Sequence, residues 1–143
     1  MVSSERSVSD LFHLYASAVR SRDVDALMSL YHGTVRVFDA WGVWSYEGAP
    51  AWRKMVEQWF ESLGQETVAV RFDDSQVVSG EELASATAIV TFAAMSPEGV
   101  QLRAMQNRLT WLLARENGAW KIVHEHTSAP IGFEDMRAIL ERK

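Results

Sequence analysis

Apolar residues recur along this chain with two periods, and the change from one to the other divides it into a mainly helical opening and a strand-rich remainder. Ser7 to Arg20 reads as a helix: Ser7 can cap it, Asp10 stands three residues on, and Val8, Leu11, Phe12, Tyr15 and Val19 fall on one face. Asp23 opens a second, short helix with a Val24, Leu27, Met28, Tyr31 stripe, ended by Gly33 as a left-handed cap. Thr34 to Asp39 alternates as a strand, then turns at Gly42 and returns briefly from Val43 to Tyr46. The widest apolar face follows. Pro50 suits a first helical turn, and Trp52, Met55, Val56, Trp59, Phe60 and Leu63 share one side until Gly64.

From Thr67 onward the period falls to two. Thr67 to Val78 and Leu83 to Met95 read as strands, separated by Ser79-Gly-Glu-Glu. After the turn Ser96-Pro-Glu-Gly come two long arms, Gln101 to Arg115 and Ala119 to Ser128. Asn117-Gly118 between them tolerates positive φ at both central positions, which makes this the clearest hairpin in the chain. Beyond Pro130, the spacing of Phe133, Met136, Ile139 and Leu140 predicts a short C-terminal helix. Helices followed by four consecutive antiparallel strands imply an α+β fold: a twisted sheet curls, three helices cover its concave face, and the resulting cone can stay open at its wide end.

Bulk composition narrows the function classes. At 143 residues the chain reads as one domain, 1–143, and 48% hydrophobic with 23% charged residues is ordinary globular composition. A net charge of −5 argues against nucleic acid and anionic membrane partners. Without cysteine there can be no disulfide, thiolate nucleophile or zinc–thiolate site, which fits a cytoplasmic location. The opening Met-Val-Ser-Ser-Glu-Arg has no apolar signal core, and no run reaches the roughly 20 apolar residues that span a bilayer. No glycine-rich phosphate loop occurs, so no organic cofactor is expected. Six tryptophans suggest either a large core or an aromatic-lined pocket.

Four segments carry a resemblance: Arg22-Asp-Val-Asp-Ala-Leu, Val35-Arg-Val-Phe-Asp39, Tyr46-Glu-Gly48, and Trp120-Lys-Ile-Val-His-Glu-His-Thr-Ser128. With their order they resemble the nuclear transport factor 2-like superfamily, and within it the SnoaL-like branch, relatives of polyketide cyclases and ketosteroid isomerases. The resemblance covers roughly residues 7 to 129. It implies a cone with a pocket for a small hydrophobic molecule, and a homodimer joined through the outer face of the sheet. It leaves activity open, because this scaffold serves isomerases, cyclases, lyases and non-catalytic binding modules.

Candidate chemistry centres on Asp39, which resembles the proton-shuttling aspartate of ketosteroid isomerases in position. A carboxylate in an apolar mouth can take a proton from carbon beside a carbonyl. The alternative is a solvated turn residue. Tyr15 resembles that family's phenolic donor and could serve a developing oxyanion; otherwise it is a core tyrosine. The isomerase pattern also needs an acid on the strand from Gln101 to Arg115, and none stands between Glu98 and Glu116. Asn107, sharing a face with Met105, Leu109 and Trp111, could donate a weaker bond there. His124 and His126 alternate on a strand and are expected on one face with Trp120 and Ile122, as acid, base or hydrogen-bond groups; a structural pair is the alternative. A metal is not expected, since two ligands fall short of a catalytic set. Trp41, Trp44, Trp59, Asn107, Trp111 and His126 are candidates to line the pocket, and Asp39, His124 and Tyr15 to act in it.

Overall fold

The computed structural model describes residues 7–142. The opening hexapeptide, read above as lacking a signal core, lies outside them. Helix α1 (Val8–Ser21) begins at a reciprocal cap: the Asp10 amide donates to the Ser7 hydroxyl and the Ser7 amide to the Asp10 carboxylate. Its whole apolar stripe is buried. Helix α2 (Val24–Met28) is a single turn capped by Asp23. Strand β1 (Tyr31–Phe38) and the two-residue β2 (Tyr46–Glu47) precede α3 (Ala49–Ser62). Then β3 (Thr67–Ser79), β4 (Leu83–Met95), β5 (Gln101–Glu116) and β6 (Ala119–Ser128) follow without interruption. The six strands form one sheet in the order β2-β1-β6-β5-β4-β3, antiparallel except where β1 lies parallel to β6. The α+β cone expected from the sequence is present. No helix among the described residues is long and apolar enough to cross a membrane.

The core lies where α1 meets the middle of the sheet. Phe12 stacks on Trp111 at 4.9 Å between ring centroids, and Phe72 closes against Phe12 at 4.7 Å. Helix α3 divides its stripe between two tasks. Trp52, Val56 and Phe60 are buried, whereas Met55, Trp59 and Leu63 are only half-covered and face a hollow.

Three expectations about elements fail, the first being the return from Val43 to Tyr46, whose strand is only Tyr46–Glu47. Tyr31 and Gly33 belong to β1 rather than to the end of α2. The Ile122 amide bonds the Leu30 carbonyl at 2.9 Å, so pairing with β6 claims this segment before a longer helix can form. The C-terminal helix is also absent. Met136 has φ +61°, and Phe133 and Met136 lie in solvent, so the supposed apolar face has nothing to bury against. Instead the tail folds on itself through an Ile131–Ala138 bridge, and its Leu140 carbonyl accepts from the Gln106 amide of β5 at 2.7 Å. Arg142 continues the strap by pairing with Asp74 of β3.

Candidate functional site

The Asn-Gly turn fixes what happens on β6. Asn117 and Gly118 take φ of +50° and +80°, and the hairpin starts in tight register with Glu116 opposite Ala119 and Leu113 opposite Ile122. One residue later the register slips, and Leu112 faces His124, leaving Val123 as a bulge. Because side chains alternate with a period of two, that extra residue exchanges the faces beyond it. Trp120 and Ile122 point into the cone, and so do Glu125 and Thr127. His124 and His126 point outward. This corrects the expectation that the imidazoles share a face with Trp120 and Ile122.

On the outer surface both histidines pack edge-on to Phe38, at 4.9 and 5.5 Å. The His124 Nδ1 donates to the Arg36 carbonyl at 2.7 Å, which fixes its tautomer, since a carbonyl can only accept. Neither lines the hollow. No group of three His, Asp or Glu side chains fit to hold a metal occurs among the described residues.

Inside, a cavity of about 410 Å³ opens between α3 and the curled sheet. Trp41, Trp52, Met55, Trp59, Leu63, Val68, Phe92 and Met105 supply its apolar walls, and Leu140 of the tail closes one side. Its polar end holds Tyr15, Asp39, Asn107, Glu125 and Thr127. Trp44, expected in the lining, is 96% exposed on its loop. Trp111, also expected there, is fully buried beneath the wall, because the Phe12 stack covers it. It still bears on the site through its indole N–H.

Glu125 is the residue sequence reasoning missed. Only 2% exposed, it accepts on Oε1 from the Tyr31 hydroxyl at 2.6 Å and from Trp111 Nε1 at 2.9 Å. Burial drives its pKa up to about 7, with a further rise from Asp39, although both donors pull the other way. Its second oxygen takes no hydrogen bond among the described residues and is left to the cavity. From Gln101 to Arg115 the strand expected to carry an acid has none, but its neighbour places one directly opposite Trp111. The signal in the sequence was the bulge, and it shows only when the hairpin register is combined with the demand that Trp111 face inward.

Asp39 follows the end of β1. The Thr127 hydroxyl donates to its Oδ1 at 3.0 Å and accepts from the Ala40 amide at 2.8 Å. Burial raises the Asp39 pKa despite the lowering by Thr127 and the Trp41 and Ala40 amides. Tyr15 is buried, and its pKa lies well above the ordinary phenol value because of burial, then Glu125, then Asp39. Its hydroxyl has no hydrogen-bond partner among the described residues. Asn107 is 6% exposed, and its Oδ1 is likewise without a partner among them. At the rim Arg103 is held by both oxygens of Glu66, at 2.7 and 3.4 Å.

The structure therefore gathers Tyr15, Asp39, Trp41, Trp59 and Asn107 on one cavity, adds Glu125, and leaves Trp44, Trp111, His124 and His126 outside it. A buried carboxylate, a phenol kept protonated and an apolar chamber are the parts for moving a proton on a small molecule without bulk water.

Comparison with known proteins gives a consistent picture of the scaffold. The SnoaL-like domain family matches residues 8–132. Among solved structures, an NTF2-like protein of unknown function from Pseudomonas putida superposes with a TM-score of 0.83 at 23% identity, covering 95% of this chain and 93% of that one. The protein Aln2 from Streptomyces gives 0.77 at 14% identity, over 85% and 86% of the two chains. A ketosteroid isomerase-like protein from Erwinia carotovora gives 0.66 at 17%, over 85% and 92%. At these identities the likeness establishes the fold alone. No curated protein matches the chain.

Proposed function

The chain belongs to the SnoaL-like domain family, and from that premise we propose that it is a cofactor-independent enzyme that shifts a proton on a hydrophobic, carbonyl-bearing small molecule. One observation carries the reading: Asp39 and the unpaired Tyr15 hydroxyl open on the same largely apolar cavity. The Asp39 carboxylate takes a proton from the carbon next to the carbonyl. The C–H electron pair moves into an enolate, and the enolate oxygen accepts a hydrogen bond from Tyr15. Asp39 then returns the proton to carbon, at the same or a conjugated position. Thr127 holds Asp39 in place through Oδ1, and the raised pKa makes it a stronger base than a solvated aspartate. Names among the structural neighbours, ketosteroid isomerase-like among them, are compatible with this class of chemistry.

The test is hydrogen exchange. In deuterated buffer the protein should speed exchange next to the carbonyl of tetralone or decalone, followed by proton NMR. Asp39→Asn should slow that exchange by at least about 100-fold, within the range general bases contribute, while ligand affinity stays within about tenfold. Exchange that survives the substitution removes Asp39 from the mechanism. Binding of the ketone without any exchange identifies a non-catalytic ligand-binding module instead.

A further inference from the structure

The polar end of the cavity is unbalanced in a specific way. Among the described residues lining it, two carboxyls, Asp39 and Glu125, stand on one wall, and Glu125 Oε2 and Asn107 Oδ1 are both unpartnered. The Tyr15 hydroxyl and Trp52 Nε1 are unpaired donors in the same lining, and both are neutral. Among the described residues no lysine or histidine lines the cavity, and the one lining cation, Arg103, is clasped at the rim by Glu66. A buried acceptor without a partner is destabilising, and a buried carboxylate without a counter-charge is more so. Tyr31 and Trp111 both bond Oε1, so no described residue offsets the burial of Oε2.

We propose that Glu125 and Asn107 form a subsite for a protonated amine, so that the ligand of this cavity is a lipophilic primary or secondary ammonium. An ammonium brings several N–H donors and one positive charge, and the charge is what two carboxyls beside neutral donors lack. Trp41, Trp52 and Trp59 line the same chamber, and aromatic faces attract cations. Asp39 and Tyr15 remain free for the carbonyl end. The proposal rests on the reading that this cavity takes a small hydrophobic molecule, and it adds the charge and polar group of that molecule. An ammonium held beside the carbonyl would also ease loss of the neighbouring proton, since positive charge stabilises the electron pair left behind.

The experiment compares three probes of one shape by calorimetry: naphthylmethylamine, naphthylmethanol and naphthoate. At about pH 8, where Glu125 is ionised, the amine should bind at least about tenfold more tightly than the alcohol, with naphthoate weakest. Toward about pH 6 the gap should narrow as Glu125 takes up its proton. Glu125→Gln should erase the gap and leave the alcohol within about threefold of its wild-type affinity. Should that variant not fold, the pH series on the wild-type protein carries the test. Equal affinity for amine and alcohol at both pH values, or a gap that survives Glu125→Gln, overturns the ammonium subsite while leaving the cavity reading standing. If none of the three binds, both readings fall together.

Discussion

Strand β6 carries two walls built from neighbouring residues, and they differ in almost every physical respect. The inner wall, Glu125 and Thr127, is buried, hydrogen-bonded to Tyr31, Trp111, Ala40 and Asp39, and holds a carboxyl with pKa about 7. The outer wall, His124 and His126, rests on Phe38 at the surface, and one backbone carbonyl bonds His124. Residue type alone would assign these roles the other way, because histidine is the side chain most often read as catalytic near neutral pH. What decides is geometry. A single bulged residue, Val123, determines which set meets the cavity.

The strongest way to break the contrast is to remove that residue. Deleting Val123 forces β6 either to carry two imidazoles into the core or to expel Trp120 and Ile122. Either outcome should cost more than about 4 kcal/mol, the range of exceptional single changes, and thermal unfolding should lose its cooperative transition. A native-like melt would show that the bulge does not set the faces.

The next effect is pH-linked. The folded pKa of Glu125, about 7, lies above its ordinary value of 4.5. Its contribution to stability is therefore whole below about pH 4.5 and is lost as pH rises through about 7. Glu125→Gln stays uncharged throughout, so over that window it should gain on the wild type by up to about 3 kcal/mol, at 1.36 kcal/mol per pKa unit. Denaturant melts at several pH values read this directly, and parallel curves would place Glu125 in a wetter setting than its burial implies.

Tyr31→Phe sharpens the same wall. It deletes the donor 2.6 Å from Oε1, so the Glu125 pKa should climb further and stability above neutral pH should fall by about 2 kcal/mol. Carboxyl carbon NMR would follow the titration, and an unmoved midpoint would leave Trp111 as the donor that matters. Smallest of all, His126→Ala on the outer wall should change stability by no more than about 0.5 kcal/mol, as surface substitutions do. It should also leave the Glu125 titration where it was.

Much of the fold was legible because its signals are local. The capping pair Ser7 and Asp10, the Trp52 to Leu63 stripe and the Asn117-Gly118 turn each state their conformation within a few residues. Asp39 and Tyr15 could be placed near one another because the resemblance to ketosteroid isomerases puts both at the pocket, and Asn107 because it shares a strand face with Met105 and Leu109. Glu125 could not. Its direction depends on a slip between two strands, and in the one-dimensional pattern Val-His-Glu-His-Thr alternates cleanly either way. Tyr31 was lost for a related reason: the apolar spacing Val24, Leu27, Met28, Tyr31 is helical, but a long-range pairing with β6 overrides it. The tail misled because Phe133, Met136, Ile139 and Leu140 have helical spacing, yet Phe133 and Met136 find no surface to receive them and Leu140 turns to the cavity instead.

That tail has a practical side. Leu140 and Arg142 stitch the last residues across β5 and β3, with Leu140 forming part of the chamber wall. An affinity handle or surface tether fused at this end would hang beside the vestibule and could be mistaken for a bound guest. Immobilised assays tethered through this strap would then report on their own linker.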